Sequence, residues 1–295
     1  MIKIRIPAST ANLGSGFDSL GIALNLYNYV EMEPAEGCFI SSADGSKIPT
    51  GEDNLIYSSA KKVFEKAKVP FTGLKIIEEN NVPFARGLGS SSACIVGGVF
   101  GANELLGRPF TKDELLNIAA EIEGHPDNVS PALLGGFTAN AMEENKVCYV
   151  KAEVPEKLFF AAFVPPFELK TADARAVMPK EVSVKDAVYN LSRSALITAS
   201  FLSGKFENLK IGCEDKLHQP YRLPLIPGGS EIIEKSYENG VLSAYISGAG
   251  STMMAIFDCE KEKAEKIAEN ILSSGDFEGW KYFILNADNS GAAAL

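Results

Sequence analysis

The segment that most restricts the fold of this chain is a run of glycines and serines leading directly into an apolar stretch. It reads Pro83-Phe-Ala-Arg-Gly-Leu-Gly-Ser-Ser-Ser-Ala93, and the residues up to Leu106 are mostly apolar with interspersed Gly and Ala. Glycines let the backbone turn so that successive N–H groups point into one concavity, and a helix N-terminus adds free N–H groups and a partial positive charge. The pattern therefore predicts a phosphate site at the start of a buried helix.

This run differs from two common nucleotide-binding motifs. No lysine follows its last glycine, as the Walker pattern requires, and its spacing is not G-x-G-x-x-G. Its serine hydroxyls could donate to phosphate oxygens or bind Mg²⁺. Taken alone, these residues also fit a flexible Gly/Ser loop that precedes a helix and binds nothing.

Composition excludes several classes of protein. The chain has 295 residues, which is enough for about two domains. Its content of 46% hydrophobic and 22% charged residues is that of a globular protein and excludes wholesale disorder. A net charge of −10 argues against a nucleic-acid partner, because an acidic chain repels phosphate backbones. We expect no membrane partner either, since no apolar run has the length of a transmembrane helix or of a signal peptide.

Cysteine and histidine usage indicates the compartment and limits the metal chemistry. The five cysteines are dispersed without CxxC pairs, which suits reduced thiols and predicts a cytoplasmic protein. The same spacing argues against a cysteine-based zinc site. With only two histidines, His125 and His218, a multi-histidine metal site is improbable as well.

Hydrophobic periodicity predicts a mixed α+β protein. Strands are predicted at 1–7, 21–33, 74–79, 158–164, 241–246, 252–257 and 280–286, helices at 54–68, 90–106, 111–123, 186–203, 230–238 and 261–272, and a hairpin at 135–150. The two kinds of element do not alternate regularly, which favours α+β over a doubly wound sheet. A change of character at 152–158 predicts domains 1–155 and 156–295.

Three ordered segments resemble the motifs of the GHMP kinases. The first is Pro7-Ala-Ser-Thr-Ala-Asn-Leu-Gly-Ser-Gly-Phe-Asp18, the second is the Gly/Ser run already described, and the third is Ser247-Gly-Ala-Gly-Ser-Thr252. The resemblance implies an N-terminal, ATP-binding domain with a left-handed βαβ unit and a ferredoxin-like C-terminal domain. Nucleotide and acceptor would meet in the cleft between them.

Within this family, the likeness is closest to the kinases that phosphorylate L-homoserine. It is carried by residues 12–18, by residues 123–137 (Glu-Gly-His-Pro-Asp-Asn-Val-Ser-Pro-Ala-Leu-Leu-Gly-Gly-Phe) and by His218-Gln-Pro-Tyr-Arg222. The lysine that mevalonate kinases carry in the first motif is missing between Pro7 and Asp18. The resemblance implies an ATP-dependent transfer to the side-chain hydroxyl of this small-molecule substrate, which feeds threonine synthesis, and it suggests a homodimer.

The resemblance also assigns nucleotide and metal contacts. The phosphate loop would comprise Pro83, Arg86, Gly87, Leu88, Gly89, Ser90, Ser91, Ser92 and Ala93, with Asn54 near the adenine. Glu123 and Ser91 would hold Mg²⁺, which prefers oxygen ligands completed by phosphates. Glu121 would point to a different face of the same helix and is the weaker candidate. Arg86 could contact phosphate or merely lie along the surface.

Seven residues are expected at the acceptor site: Asn12, Asp18, His125, Asn128, Thr171, Arg175 and Arg222. Asp18 would bind the ammonium group, and the two arginines, assisted by Thr171, would bind the α-carboxylate in a planar fork. Asn12 and Asn128 would orient the hydroxyl, so that Asn12, Glu123 and Asn128 form the catalytic set. Asp127 is the nearest candidate base, although a loose transition state needs no strong one.

Two other functions remain compatible with the sequence. The chain could be a GHMP kinase for another small alcohol, which the missing lysine and the paired arginines disfavour. It could also be a member that binds nucleotide or a partner without turnover, although such a protein has no physical need for the complete loop, Glu123 and Asn128 together. Each site residue also has an ordinary structural role open to it: a solvated carboxylate, a turn-forming Asn or Asp, a buried histidine or a surface arginine.

Overall fold

The strands of the computed structural model, which describes residues 1–295, form two sheets. The first contains β1 (Ile2–Ala11), β2 (Leu20–Pro34), β3 (Gly37–Ser42), β4 (Gly73–Glu79), β5 (Phe137–Glu143), β6 (Lys146–Ala152) and β11 (Ala293–Ala294). Its order is β11-β1-β2-β4-β3, and β5 pairs with both β2 and β6. The second contains β7 (Leu158–Val164), β8 (Ser243–Ile246), β9 (Met253–Asp258) and β10 (Lys281–Leu285) in the order β10-β7-β9-β8.

Ten helices pack on these sheets. They are α1 (Leu55–Ala67), α2 (Ser90–Leu105), α3 (Lys112–Glu123), α4 (Val129–Leu134), α5 (Thr171–Ala176), α6 (Val184–Ser203), α7 (Leu209–Gly212), α8 (Gln219–Arg222), α9 (Gly229–Glu238) and α10 (Lys261–Ser273). The capping signature predicted for α3 is present, because Thr111 and Glu114 each bond the backbone of the other. No helix has the length and hydropathy needed to span a bilayer.

The second sheet has the ferredoxin-like topology that the resemblance implies. All its neighbouring strands are antiparallel, α5 to α9 lie between β7 and β8, and α10 lies between β9 and β10. This is the β-α-β-β-α-β arrangement. In the first sheet, β3 and β4 are parallel and α1 connects them, as a βαβ crossover requires. The mixed α+β class is confirmed.

The chain passes from the first sheet to the second between β6 and β7, but the two sheets share a core. β6 ends at Ala152 and β7 begins at Leu158. One cluster of buried side chains joins Leu20 of β2 to Leu158 of β7 and Tyr245 of β8, so apolar surface is buried between the halves. The end of the predicted second domain returns to the first sheet, where β11 pairs with β1.

Candidate active site

A polar cavity of about 290 Å³ lies where the two halves meet. Its walls come from six segments of the chain: Asn12 and Asp18; residues 85–87 and 89–92; Glu123, His125, Asp127 and Asn128; Thr171 and Arg175; Arg222; and Gly248 and Ala249. The fold thus gathers the predicted Mg²⁺ residues, the predicted acceptor residues and most of the phosphate loop around one space.

The phosphate loop meets the start of α2 as the sequence predicts. Gly89 precedes the helix with φ of 70°, and no side chain caps this end. The N–H groups of the first turn are therefore left to bind another partner, and the helix dipole favours an anion there. This geometry suits phosphate oxygens.

The third motif holds the phosphate loop in place. The Ser247 hydroxyl donates to the Gly87 carbonyl at 2.6 Å, and the Thr252 N–H donates to the Arg86 carbonyl at 3.0 Å. Gly87 has φ of 75°, and a Cβ there would lie 2.2 Å from the Ser247 carbonyl oxygen. Only glycine allows this approach. The sequence pattern predicted no role for the third motif, because Ser247 and Thr252 meet the phosphate loop only in the folded chain.

Glu123 lies at the end of α3 beside the start of α2. The Ser92 hydroxyl donates to one carboxylate oxygen at 2.7 Å, and the Ser91 hydroxyl donates to the other at 3.3 Å. The cluster offers oxygen atoms only, which is the donor set that Mg²⁺ prefers. Glu121, by contrast, pairs with Lys62 and Lys66 away from the cavity, as its position on the helix predicts.

His125 and Asp127 form a hydrogen-bonded pair in the cavity wall. The Nδ1 atom of His125 lies 2.5 Å from Oδ1 of Asp127, which is almost wholly buried. Burial opposes protonation of His125, but the hydrogen bond and negative charge of Asp127 outweigh it and raise the pKa of the imidazole. Asp127 thus already has a partner, which reduces its availability as a base.

The two asparagines serve the backbone as well as the cavity. Asn12 donates to the Gly248 carbonyl at 2.7 Å and accepts from the Asp18 N–H at 2.9 Å, and so ties the first motif to the third. Asn128 accepts a hydrogen bond from the Ser9 hydroxyl at 2.9 Å through Oδ1. The carbonyl side of each amide is therefore fixed. Both residues also line the cavity.

Arg222 is buried and held by three groups. It donates to the carbonyls of Ala174 and Gly248 at 3.2 and 3.1 Å, and its Nη1 lies 3.3 Å from Nδ1 of His218. His218 donates through Nε2 to the Gly14 carbonyl, so its Nδ1 accepts from the guanidinium. Burial and the charge of Arg175 lower the pKa of Arg222 to about 10. The sequence predicted no separate role for His218, whose position in the structure orients Arg222.

Thr171 and Arg175 approach the cavity from α5. The Arg175 guanidinium pairs with the Asp18 carboxylate, and both residues line the cavity. The exposed surface of α5 explains why the sequence pattern did not predict a helix there: of its six residues, only Ala174 is buried. The two groups expected to bind opposite ends of an amino acid are thus adjacent.

Four predicted nucleotide contacts lie outside the cavity walls. Asn54 caps α1 and donates to Glu78, Pro83 lines a neighbouring groove, and the side chains of Leu88 and Ala93 belong to the core. Arg86 lines the cavity, but its guanidinium donates to the carbonyls of Pro165 and Pro166 in the second half. The ligand contacts assigned to these residues stay predictions.

Comparison with known proteins agrees with this architecture. Residues 54–136 match the GHMP kinases N terminal domain, and residues 196–276 match the GHMP kinases C terminal domain. A homoserine kinase of Clostridium beijerinckii is 49% identical over 100% of this chain and 99% of its own. A homoserine kinase of Caldicellulosiruptor bescii is 44% identical over 100% of this chain and 97% of its own.

A solved structure gives the same result in three dimensions. The crystal structure of homoserine kinase from Cytophaga hutchinsonii superimposes with a TM-score of 0.89 at 29% identity, covering 100% of this chain and 97% of that one. Both halves of the fold, the three motifs and the full-length relatives agree, and the chain belongs to the GHMP kinase family.

Proposed function

We propose that this protein transfers the γ-phosphoryl group of ATP to the side-chain hydroxyl of L-homoserine, giving O-phospho-L-homoserine for threonine synthesis. The observation that carries the proposal is the set of residues that line one polar cavity. The uncapped start of α2 and the side chains of Asp18, Arg175 and Arg222 all line this cavity. The full-length relatives are named homoserine kinases, which supports this acceptor.

The phosphoryl donor is ATP, because the family is one of kinases. We place its phosphates against the N–H groups at residues 87–92, where the uncapped start of α2 favours anions. Mg²⁺ would be held by Glu123 and Ser91, and it would supply charge neutralisation on the phosphate oxygens. Ser92 donates to Glu123 and orients the carboxylate toward this position.

Charge complementarity selects an amino acid as the acceptor. The carboxylate of Asp18 suits an ammonium group, and guanidinium groups bind a carboxylate in a fork that lysine cannot reproduce. Asn12 and Asn128 flank the remaining space and would orient the attacking hydroxyl, with His125 and Thr171 as further contacts. Phosphoryl transfer depends chiefly on positioning and charge neutralisation. The hydrogen bond between Asp127 and His125 therefore does not prevent the reaction, because no strong base is needed.

The decisive experiment is an acceptor screen with ATP over homoserine, mevalonate, shikimate and galactose, followed by the carboxylate-reduced analogue of homoserine. We expect turnover with homoserine only, and kcat/KM at least about tenfold lower for the analogue, because a charge-assisted bond to a carboxylate contributes ~1.5–3 kcal/mol. Arg175→Lys and Arg222→Lys should each reduce the difference in kcat/KM between homoserine and this analogue.

The alternative functions predict other outcomes of the same screen. Preferential use of another alcohol would support a different GHMP kinase. Binding of ATP without turnover on any acceptor would support a non-catalytic member. If wild type uses homoserine and its reduced analogue equally well, the arginine clamp is wrong.

We further propose that the protein works in the cytoplasm as a homodimer. All five cysteines are unpaired, as thiols are in a reducing compartment. The family resemblance supports two copies. Light scattering on the purified protein gives the mass in solution, and thiol titration without reductant should find five free thiols.

A further inference from the structure

The outward face of α6 carries an apolar stripe without a partner. Val184, Val188, Leu191 and Leu202 keep 80%, 57%, 71% and 55% of their surface exposed. The exposed Ala195 and the half-buried Thr198 complete the line. Isolated apolar residues are common on protein surfaces, but a continuous row along one helix marks an interaction site.

The spacing of the stripe is that of a coiled-coil seam. Its six positions, 184, 188, 191, 195, 198 and 202, are separated by four and three residues in alternation. This 3.5-residue repeat keeps one face of a helix against a partner helix over its whole length. The buried residues of α6, among them Ile197 and Phe201, lie on the opposite side. The residues of the stripe therefore do not belong to the hydrophobic core of this chain.

We propose that this stripe is the surface through which two copies of the chain associate, with their α6 helices antiparallel about a twofold axis near position 193. The inference rests on the homodimer proposed above and supplies its interface. A twofold arrangement pairs position 184 with 202, 188 with 198, and 191 with 195. Leu191 then faces the small Ala195 of the other copy, so the helices can approach closely near the axis.

Charge supports a second copy and the antiparallel orientation. The stripe contains no charged side chain, so the net charge of −10 does not oppose contact there. Glu181 precedes the helix and Lys205 follows it, and both are exposed. The antiparallel arrangement places Glu181 of each copy beside Lys205 of the other, whereas a parallel one places like charges together. Antiparallel helix dipoles also attract.

The first test is the oligomeric state. Sedimentation velocity of wild type, Leu191→Lys and Leu202→Lys is measured over a hundredfold range of concentration. Wild type should form a dimer, and each variant should associate at least about 100-fold more weakly, because a dimer would bury two ammonium groups in one seam. Val150→Lys, at a position that is 53% exposed on β6, is the matched control and should behave as wild type.

Orientation is tested by disulfide trapping in a Cys148→Ser background, which removes the exposed native thiol. A mixture of Val184→Cys and Leu202→Cys proteins should cross-link on mild oxidation, whereas Val184→Cys alone should not. Cross-linking of Val184→Cys with itself at an equal rate would overturn the antiparallel arrangement.

The outcomes separate the interface from the proposed function. A monomeric wild type, or a dimer that survives both lysine substitutions, overturns the interface whatever the enzyme does. Failure to phosphorylate homoserine overturns the proposed function but leaves the sedimentation result unaffected. Thermal unfolding of each variant, equal to that of Val150→Lys, confirms that loss of association is not loss of fold.

Discussion

The Arg175 guanidinium donates two hydrogen bonds to the Asp18 carboxylate, at 2.8 and 3.1 Å, across 157 residues of chain. This bidentate pair joins the first motif to α5 and neutralises both groups. Because a zwitterionic amino acid presents an ammonium and a carboxylate, it can insert between them and replace one ion pair by two. The pair thereby keeps a cavity of mixed charge complementary to such an acceptor.

Loss of the Asp18 charge should affect the acceptor and not the nucleotide. Asp18→Asn keeps the shape but removes a charge-assisted bond of ~1.5–3 kcal/mol, so KM for homoserine should rise at least about tenfold while KM for ATP changes little. Initial-rate kinetics with each substrate varied gives both values. Asp276→Asn, at an exposed site far from the cavity, is the control. Equal increases in both KM values would indicate a structural role.

Glu123→Gln should lower kcat by at least about a hundredfold, a barrier increase of ~2.7 kcal/mol, since it removes the metal carboxylate. Glu121→Gln, two residues earlier on α3 and paired with Lys62 and Lys66, should retain near wild-type activity. Activity is measured over a range of Mg²⁺ concentrations, together with thermal unfolding. Wild-type turnover of Glu123→Gln at ordinary Mg²⁺ would refute the assignment.

Gly87→Ala should weaken ATP binding by at least about tenfold, because the new Cβ meets the Ser247 carbonyl oxygen and must displace the phosphate loop. Gly107→Ala separates backbone strain from this clash. Gly107 has a similar φ of 77°, but a Cβ there would have no neighbour within 4 Å. Gly107→Ala should therefore lower only the folding stability, by the ~1–2 kcal/mol that backbone strain costs. Titration with a non-hydrolysable ATP analogue measures the effect; comparable affinities for both variants would contradict the role of the third motif.

The pKa values of the two histidines should be shifted in opposite directions from the ordinary value near 6.5. Asp127 raises the pKa of His125 despite its burial, whereas burial, together with Arg222, lowers that of His218 against the attraction of Asp215. NMR titration of the imidazole signals resolves both, because the chain has only two histidines. Asp127→Asn should lower the pKa of His125 and leave His218 unchanged; a His125 pKa unaltered by this substitution would exclude the pair as its cause.

The contributions of the two histidines to folding stability should therefore depend on pH in opposite ways. For His125 the folded pKa exceeds the unfolded one, so its contribution is complete below about pH 6.5 and is lost as pH rises through the raised value. For His218 the folded pKa is depressed, so its contribution is present above about pH 6.5 and is lost as pH falls through the lowered value. Denaturant unfolding from pH 5 to 8, compared with Asp127→Asn, isolates the first contribution.

Local patterns were sufficient to predict the major elements and the Gly/Ser loop that begins α2. Alternation of Ile2, Ile4 and Ile6 produced β1, the Thr111–Glu114 capping box began α3, and the glycines and serines before Ala93 began α2. Each depends on interactions within a few residues, so it can be read from the chain directly. The short helices α4, α5, α7 and α8 and the two-residue β11 were not predicted, because they are too brief for a hydrophobic period to develop, and β3 was not predicted either.

The order of residues along the chain is enough to indicate local features: a Gly/Ser loop before a helix at residues 87–92, the carboxylates and arginines of the candidate site, and helices and strands of a mixed α+β protein. Which of these groups meet is settled by the packing of the fold. Ser247 supports Gly87 across 160 residues, His218 accepts from Arg222 while donating to Gly14, and β11 returns to β1. Such contacts depend on the packing of distant segments around a shared core, and no local period or propensity encodes them.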